Sequence, residues 1–235
     1  GRAIRCRCVL LEYSGILFSK VSPMSKFKNI ILLGPPACGK GTQGKRIAQL
    51  LNLPVLGTGN LLRKAIEQKT SLGLEAEGFI NKGLYVPDSL IESLVAEWST
   101  ENSDGWIYDG FPRTQAQADF ITETTEIKQP DLVLAFDVPQ ADLENRVTSR
   151  RQCDTCDHVT STFVYDKEEC PECDGKLYAR NDDALDSFRV RYTQYEKMTG
   201  PLFDFYRNQG ILVDIDGSKK PEEVYQDVLA ALQIN

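Results

Sequence analysis

Short apolar runs alternate along the chain with stretches whose apolar residues recur at helical spacing. Asn29 to Leu33 predicts a buried strand, and the segment behind it carries Ile47, Leu50 and Leu51 on one helical face. Similar strand-like runs are Trp106 to Asp109, Leu132 to Asp137 and Ile211 to Ile215, with amphipathic stretches between them. Runs that are apolar on both faces and spaced by helices predict a mostly parallel sheet covered on both sides. Ligands of such a sheet gather at the carboxyl ends of its strands.

Two stretches interrupt this alternation. Between Thr58 and Trp98 the pattern predicts helices over Asn60 to Gln68, with Asn60 as N-cap, and over Asp88 to Trp98. From Arg151 to Asp183 a turn-rich, Cys-containing segment stands between two helices. The helix after it carries Leu185, Phe188, Tyr192 and Tyr195 and breaks at Gly200-Pro201. Residues 1–25 read as an N-terminal extension without a site: Arg2, Arg5 and Arg7 stand with Glu12, and Met24 directly precedes the first strand pattern.

Composition narrows the function classes. With 235 residues, 41% hydrophobic and 26% charged, the chain reads as a globular domain with an insertion, and its apolar runs fall far below a bilayer span. The 27 basic and 34 acidic residues give a net charge of −7, which argues against a surface built to hold nucleic acid or anionic lipid. An anionic ligand therefore needs a local cationic cluster.

Directly after the first strand comes Gly34-Pro35-Pro36-Ala37-Cys38-Gly39-Lys40-Gly41-Thr42, with a helix starting inside it. A strand, a glycine-bearing turn and a helix N-terminus place backbone N–H groups around a phosphate, and Lys40 adds a full charge. The strict pattern has Ser or Thr directly after the Lys; here Gly41 intervenes before Thr42.

Seven Cys stand at positions 6, 8, 38, 153, 156, 170 and 173. Cys153-x-x-Cys156 and Cys170-x-x-Cys173, thirteen residues apart, have the spacing of a structural four-thiolate zinc site. Disulfide pairing is the alternative, and a metal reading goes with a reducing, cytoplasmic compartment. His158 is expected on the surface of this segment, outside the ligand set. From Arg150 to Asp186 there are five basic and ten acidic residues, which argues against a zinc-ribbon grip on nucleic acid.

The Gly39-Lys40-Gly41-Thr42 variant resembles the adenylate kinase family. So do Gly57-Thr58-Gly59-Asn60-Leu61-Leu62-Arg63, Asp109-Gly110-Phe111-Pro112-Arg113-Thr114 and Arg180-Asn181-Asp182-Asp183. The resemblance covers about Ile30 to Leu232, and the Cys segment is similar to the family's long-lid zinc form. It implies a P-loop α/β/α fold on a five-stranded parallel sheet, divided into three parts. Residues 26–57, 87–150 and 184–235 would form the core, 58–86 a helical monophosphate-binding insertion, and 151–183 a zinc-binding lid. The implied reaction is Mg²⁺-dependent transfer between ATP and AMP, giving two ADP, by a monomer without nucleic-acid or membrane partners.

By the same resemblance, Ala37, Cys38, Gly39, Lys40, Gly41 and Thr42 wrap the ATP phosphates, with Arg146, Val159, Thr160 and Lys219 also on the ATP side. Arg63 and Arg113 hold the AMP phosphate, while Thr58, Gln117, Gly110 and the stretch Leu84, Tyr85 and Val86 hold the rest of AMP. Arg150, Arg180 and Arg191 close on the moving phosphoryl group, with Arg180 and Arg191 also touching AMP. Asp109 holds Mg²⁺ through water, and Cys153, Cys156, Cys170 and Cys173 hold Zn²⁺. Arg189 is expected on a solvated helix face.

Two positions depart from the family's pattern. Ala37 stands where Gly is usual, so backbone geometry compatible with a Cβ is expected there. Asn60 stands where Asp is common, which implies weaker organisation of the Mg²⁺ shell. Thr58 and Gln117 favour adenine by resemblance; a CMP/UMP or GMP kinase of the same family is the nearest alternative. An ATP-dependent zinc-ribbon nucleic-acid-binding protein is the alternative from another class.

Overall fold

The computed structural model describes residues 25–234, so residues 1–24 of the expected N-terminal extension fall outside it. The chain opens with β1 (Asn29–Leu33), α1 (Lys40–Leu51), β2 (Val55–Gly57), α2 (Thr58–Glu67), α3 (Ser71–Ile80) and α4 (Asp88–Glu101). It continues with β3 (Trp106–Asp109), α5 (Gln115–Glu123), β4 (Leu132–Asp137) and α6 (Gln140–Ser149). Three short strands follow, β5 (Arg150–Cys153), β6 (Val159–Ser161) and β7 (Leu177–Tyr178), then α7 (Leu185–Gln194), α8 (Pro201–Asn208), β8 (Leu212–Asp216) and α9 (Pro221–Ala231).

The main sheet has the order β2-β3-β1-β4-β8, with every pair parallel. Alternation along β1 divides the core. Ile31 and Leu33 join one apolar cluster with Tyr108, Phe111, Val133 and Tyr206; Ile30 and Leu32 join another with Ile107, Phe136, Leu143 and Phe188. Burial on both faces is what the unbroken apolar strands encode, each large side chain contributing roughly 1.5–3 kcal/mol. Because β3 and β4 flank β1 on opposite sides, their outgoing loops part at its carboxyl end and leave a crevice there.

Three local expectations change. Asn60 is not the cap of α2, which starts at Thr58 behind Gly57; its amide oxygen instead accepts from Arg63, and Thr58 Oγ1 donates to the Gly110 carbonyl at 2.8 Å. The last strand lies one residue later than expected, in register with β4 from Val133↔Leu212 to Asp137↔Asp216. At Gly200-Pro201 the chain is not simply broken: a π-helical turn, Tyr195–Thr199, leads into α8 with Pro201 in its first turn.

The Cys-containing segment folds separately as an antiparallel sheet of order β6-β5-β7. It touches the rest of the protein through Lys64 on α2, whose Nζ lies 2.8 Å from an Asp157 carboxylate oxygen. Lys45 on α1 also donates to the Asp157 carbonyl at 2.6 Å. Among the described residues no helix is long and apolar enough to cross a membrane.

Candidate active site

The loop from Gly34 to Gly39 leaves β1 and turns directly into α1. Gly34 is required by close approach, since a Cβ there would lie 2.7 Å from the Phe136 carbonyl oxygen. α1 has no acidic residue in its first turn, so its positive end is free to meet an anion. Lys40 reaches back over the loop, donating to the carbonyls of Gly34 at 2.8 Å and Pro35 at 2.7 Å. Cys38 is buried and its Sγ lies 3.3 Å from Lys40 Nζ, in line with a small packed residue.

Gly41, the departure from the strict motif, has a spatial reason. A Cβ on Gly41 would sit 3.1 Å from Asp109 Oδ2, so the carboxylate at the end of β3 takes the space a side chain would fill. That half-buried carboxylate beside the phosphate loop suits the hard, water-carrying shell of Mg²⁺.

Ala37 departs from its expectation. Its φ is +66°, in the left-handed region that favours glycine, so the backbone keeps the glycine geometry and the Cβ bears the cost. Ala37→Gly is expected to raise unfolding stability by about 1 kcal/mol or less, strain relief being partly offset by unfolded-state entropy. Chemical denaturation of the two proteins reads it directly, and a less stable Ala37→Gly protein would contradict the strain.

A cleft of about 560 Å³, including its solvent mouth, lies between α2, the end of α3, α4 and the β3–α5 loop. Thr58, Arg63, Leu84, Tyr85, Val86, Gly110, Arg113, Gln117 and Arg191 all line it, which gathers residues predicted from four separate stretches. The sequence did not single out Leu62, Ile80 and Ile91, which supply apolar wall. The helical repeat containing Leu62 was the available signal for one of them. Arg113 Nε donates to the Gly110 carbonyl at 2.8 Å, and its guanidinium lies 5.0 Å from the Tyr85 ring centroid.

Five guanidiniums converge near this cleft and the roots of the small sheet. Arg191 pairs with Asp182 and donates to its carbonyl at 2.8 Å, Arg63 stands 3.6 Å from the same carboxylate, and Arg150 pairs with Asp183. Arg180 donates to the Gln152 side chain instead of lining the cleft, and Arg113 completes the group. Two carboxylates cannot neutralise five cations. Burial, reinforced by Arg150 and Arg63, pulls Arg180 down to about 9, although it still carries its charge at neutral pH. Burial alone would raise Asp182, yet Arg191, Arg63, Arg150 and Arg180 hold it below its ordinary range. The surplus positive charge in a half-dry pocket favours a polyanion.

On the other side of the phosphate loop, Arg146 at the end of α6 donates to the carbonyls of Cys38, Gly217 and Ser218, the Gly217 contact at 2.8 Å. Lys219 is drawn to Asp227 on α9 at 2.7 Å, an exposed pair. Val159 and Thr160 lie on β6, opposite Gln152 and Arg151. Arg189 is exposed and pairs with Glu144, as expected of a solvated face.

The sulfurs of Cys153, Cys156, Cys170 and Cys173 all lie within 4.8 Å of one another, and none is in a disulfide. Cys153 and Cys173 are 3.5 Å apart, Cys156 and Cys170 3.7 Å, close to the ~3.8 Å edge of a tetrahedron with ~2.3 Å Zn–S bonds. Backbone N–H groups of Thr155, Glu172 and Gly175 point at three of the sulfurs, as anionic thiolates require. Burial opposes ionisation of Cys153, but the amides of Cys156 and Thr155 outweigh it and bring that thiol to about 7. For Cys173 the Gly175 amide favours the thiolate, yet the neighbouring Cys156 sulfur, burial and the remaining sulfurs push it up to about 12. Four thiolates thus need a cation to coexist, and the donor set fits Zn²⁺. His158 stays outside it; its carbonyl accepts from the Cys153 amide at 2.8 Å.

One family recurs when the chain is compared with known proteins. The family model described as adenylate kinase matches residues 32–211. An adenylate kinase of Archaeoglobus fulgidus is 39% identical over 212 residues, spanning 87% of this chain and 98% of the relative. One from Clostridium tetani is 40% identical over 209 residues, spanning 85% and 96%, and one from Methanosarcina barkeri is 38% identical over 211, spanning 87% and 98%.

Proposed function

The chain belongs to the adenylate kinase family, and on that premise we propose how its own residues divide the work. It is a phosphotransferase acting on ATP and AMP to give two ADP. The proposed parts are a core of 26–57, 87–150 and 184–235, a monophosphate-binding insertion of 58–86, and a zinc-bearing lid of 151–183. The observation that carries this division is the cleft where Arg63, Arg113 and Arg191 meet the apolar wall of Leu62, Ile80 and Ile91.

Arg63 and Arg113 bind the AMP phosphate by guanidinium forks, and Thr58, Gln117, Gly110 and residues 84–86 hold the base and sugar. Residues 37–42 cradle the ATP phosphates with amides and the Lys40 ammonium, while Arg146 packs against the ATP base, flanked by Val159, Thr160 and Lys219. Arg150, Arg180 and Arg191 neutralise charge on the transferring group, so attack by the AMP phosphate oxygen proceeds in line without a phosphoenzyme. Bound with ATP, Mg²⁺ supplies charge neutralisation at the phosphates, and Asp109 is the side chain that would hold waters of its shell. Contact of Asp157 with Lys64 and Lys45 brings the lid against the insertion and the core, which excludes water that would hydrolyse ATP.

A monomer follows from a lid that must swing freely. The acidic lid disfavours nucleic acid. Unpaired thiols at Cys38 and in the four-sulfur cluster fit a reducing cytoplasm. The test is a coupled ADP-production assay with AMP, CMP, UMP and GMP as rival acceptors. AMP is expected to lead by about two orders of magnitude in kcat/KM. A CMP-led ranking would overturn the base assignment.

A further inference from the structure

We infer that Asp88, which does not line the cleft, is a positioning residue that fixes the orientation of the Gln117 amide and thereby sets selectivity between adenine and guanine acceptors. The inference rests on the proposed reading of this cleft as the acceptor site. Gln117 is buried and lines the cleft from the first turn of α5. Its Nε2 donates to Asp88 Oδ1 at 2.7 Å, and its Oε1 accepts from the Arg113 backbone N–H at 2.7 Å. A carboxylate offers only acceptors and a peptide N–H only a donor, so both neighbours impose the same orientation on the amide.

The carboxylate is itself held. Thr114 Oγ1 donates to Asp88 Oδ2 at 2.9 Å while accepting from the Gln117 backbone N–H at 3.2 Å, which caps α5. Thr199 Oγ1, in the π-helical turn, donates to the Arg113 carbonyl at 2.8 Å, so the residue whose N–H faces Gln117 is also held at its following peptide unit. What remains of the Gln117 amide is one N–H and one oxygen lone pair in a fixed order. Adenine presents an acceptor at N1 beside a donor at N6; guanine presents the reverse, a donor at N1 beside an acceptor at O6. An amide free to turn over serves either base. A clamped one meets the wrong base donor to donor and acceptor to acceptor, which buried sites penalise heavily.

The test measures kcat and KM for ATP, AMP and GMP in the full chain and in Asp88→Ala and Asp88→Asn. Asp88→Ala removes the clamp; we expect KM for AMP to rise and the AMP-to-GMP ratio of kcat/KM to fall roughly tenfold, with KM for ATP unchanged. Asp88→Asn keeps an acceptor oxygen and should restore most of the ratio, leaving about a threefold fall. A merely structural role, such as the carboxylate's place in the first turn of α4, would lower melting temperature and all activities together. An unchanged ratio in Asp88→Ala would therefore overturn the inference, as would an unchanged ratio in Asp88→Asn should the Ala protein not fold. A wild-type chain that does not prefer AMP would instead refute the acceptor reading itself.

Discussion

Arg113→Ala is expected to lower kcat by about 10³-fold while the protein keeps its fold, because losing the fork on the acceptor phosphate costs both its in-line placement and its charge neutralisation. Its Nε is occupied by the Gly110 carbonyl, which aims the remaining N–H groups, and Tyr85 lies beside the fork. The anchoring bonds belong to the backbone: the Arg113 N–H and carbonyl are taken by Gln117 and Thr199, and these survive truncation of the side chain. Loss of the Gly110 contact costs only about 1 kcal/mol of stability. Arg113→Lys should recover little, because an ammonium cannot reproduce two parallel bonds to a phosphate. Initial-rate kinetics with AMP varied, beside a thermal melt, decide the matter; near-wild-type turnover would mean the acceptor phosphate lies elsewhere.

Removal of zinc is the second large effect. Within 151–183 no Val, Leu, Ile, Phe or Tyr is buried; the buried side chains are Gln152, Cys153, Cys170, Asp182 and Asp183. Such a segment has no hydrophobic core to offset its ordering entropy, so metal–thiolate bonds must supply it, structural zinc being worth roughly 10–16 kcal/mol in small domains. Chelation, or Cys153→Ser, is expected to melt the β6-β5-β7 sheet and release the metal, leaving the main sheet folded. Arg150 and Arg180 at its roots would lose their placement, and kcat/KM would fall by about 10²–10³. Amide exchange resolved by segment checks this: protection should vanish across 151–178 and persist in β1 and β4. Full activity with the metal stripped would contradict it.

The parts of the site written in adjacent residues were legible in the sequence. The phosphate loop and the two Cys pairs need only a local turn and a spacing, and the four apolar strands announced a parallel sheet. α3 was not visible, because Gly73 and Gly78 dilute its helical pattern; Gly73 is there since a Cβ would meet the Ala65 carbonyl oxygen at 2.1 Å, where α2 and α3 cross. β2 is only three residues long and pairs with β3 alone, at the edge of the sheet. Asp88 was hidden for a different reason: its partners Thr114 and Gln117 are 26 and 29 residues away, and only the fold brings them together. The glycine geometry at Ala37 was equally beyond reach, since residue identity there pointed the other way.

In the proposed function the phosphate loop and the arginine-lined cleft form one site for two nucleotides at once. Calorimetric titration with diadenosine pentaphosphate, two adenosines joined by a phosphate chain, tests it most directly. One molecule should bind per chain, far more tightly than either ATP or AMP alone, because one linked ligand fills both halves. Both nucleotides should compete with it. No binding, or displacement by only one of the two, would contradict it.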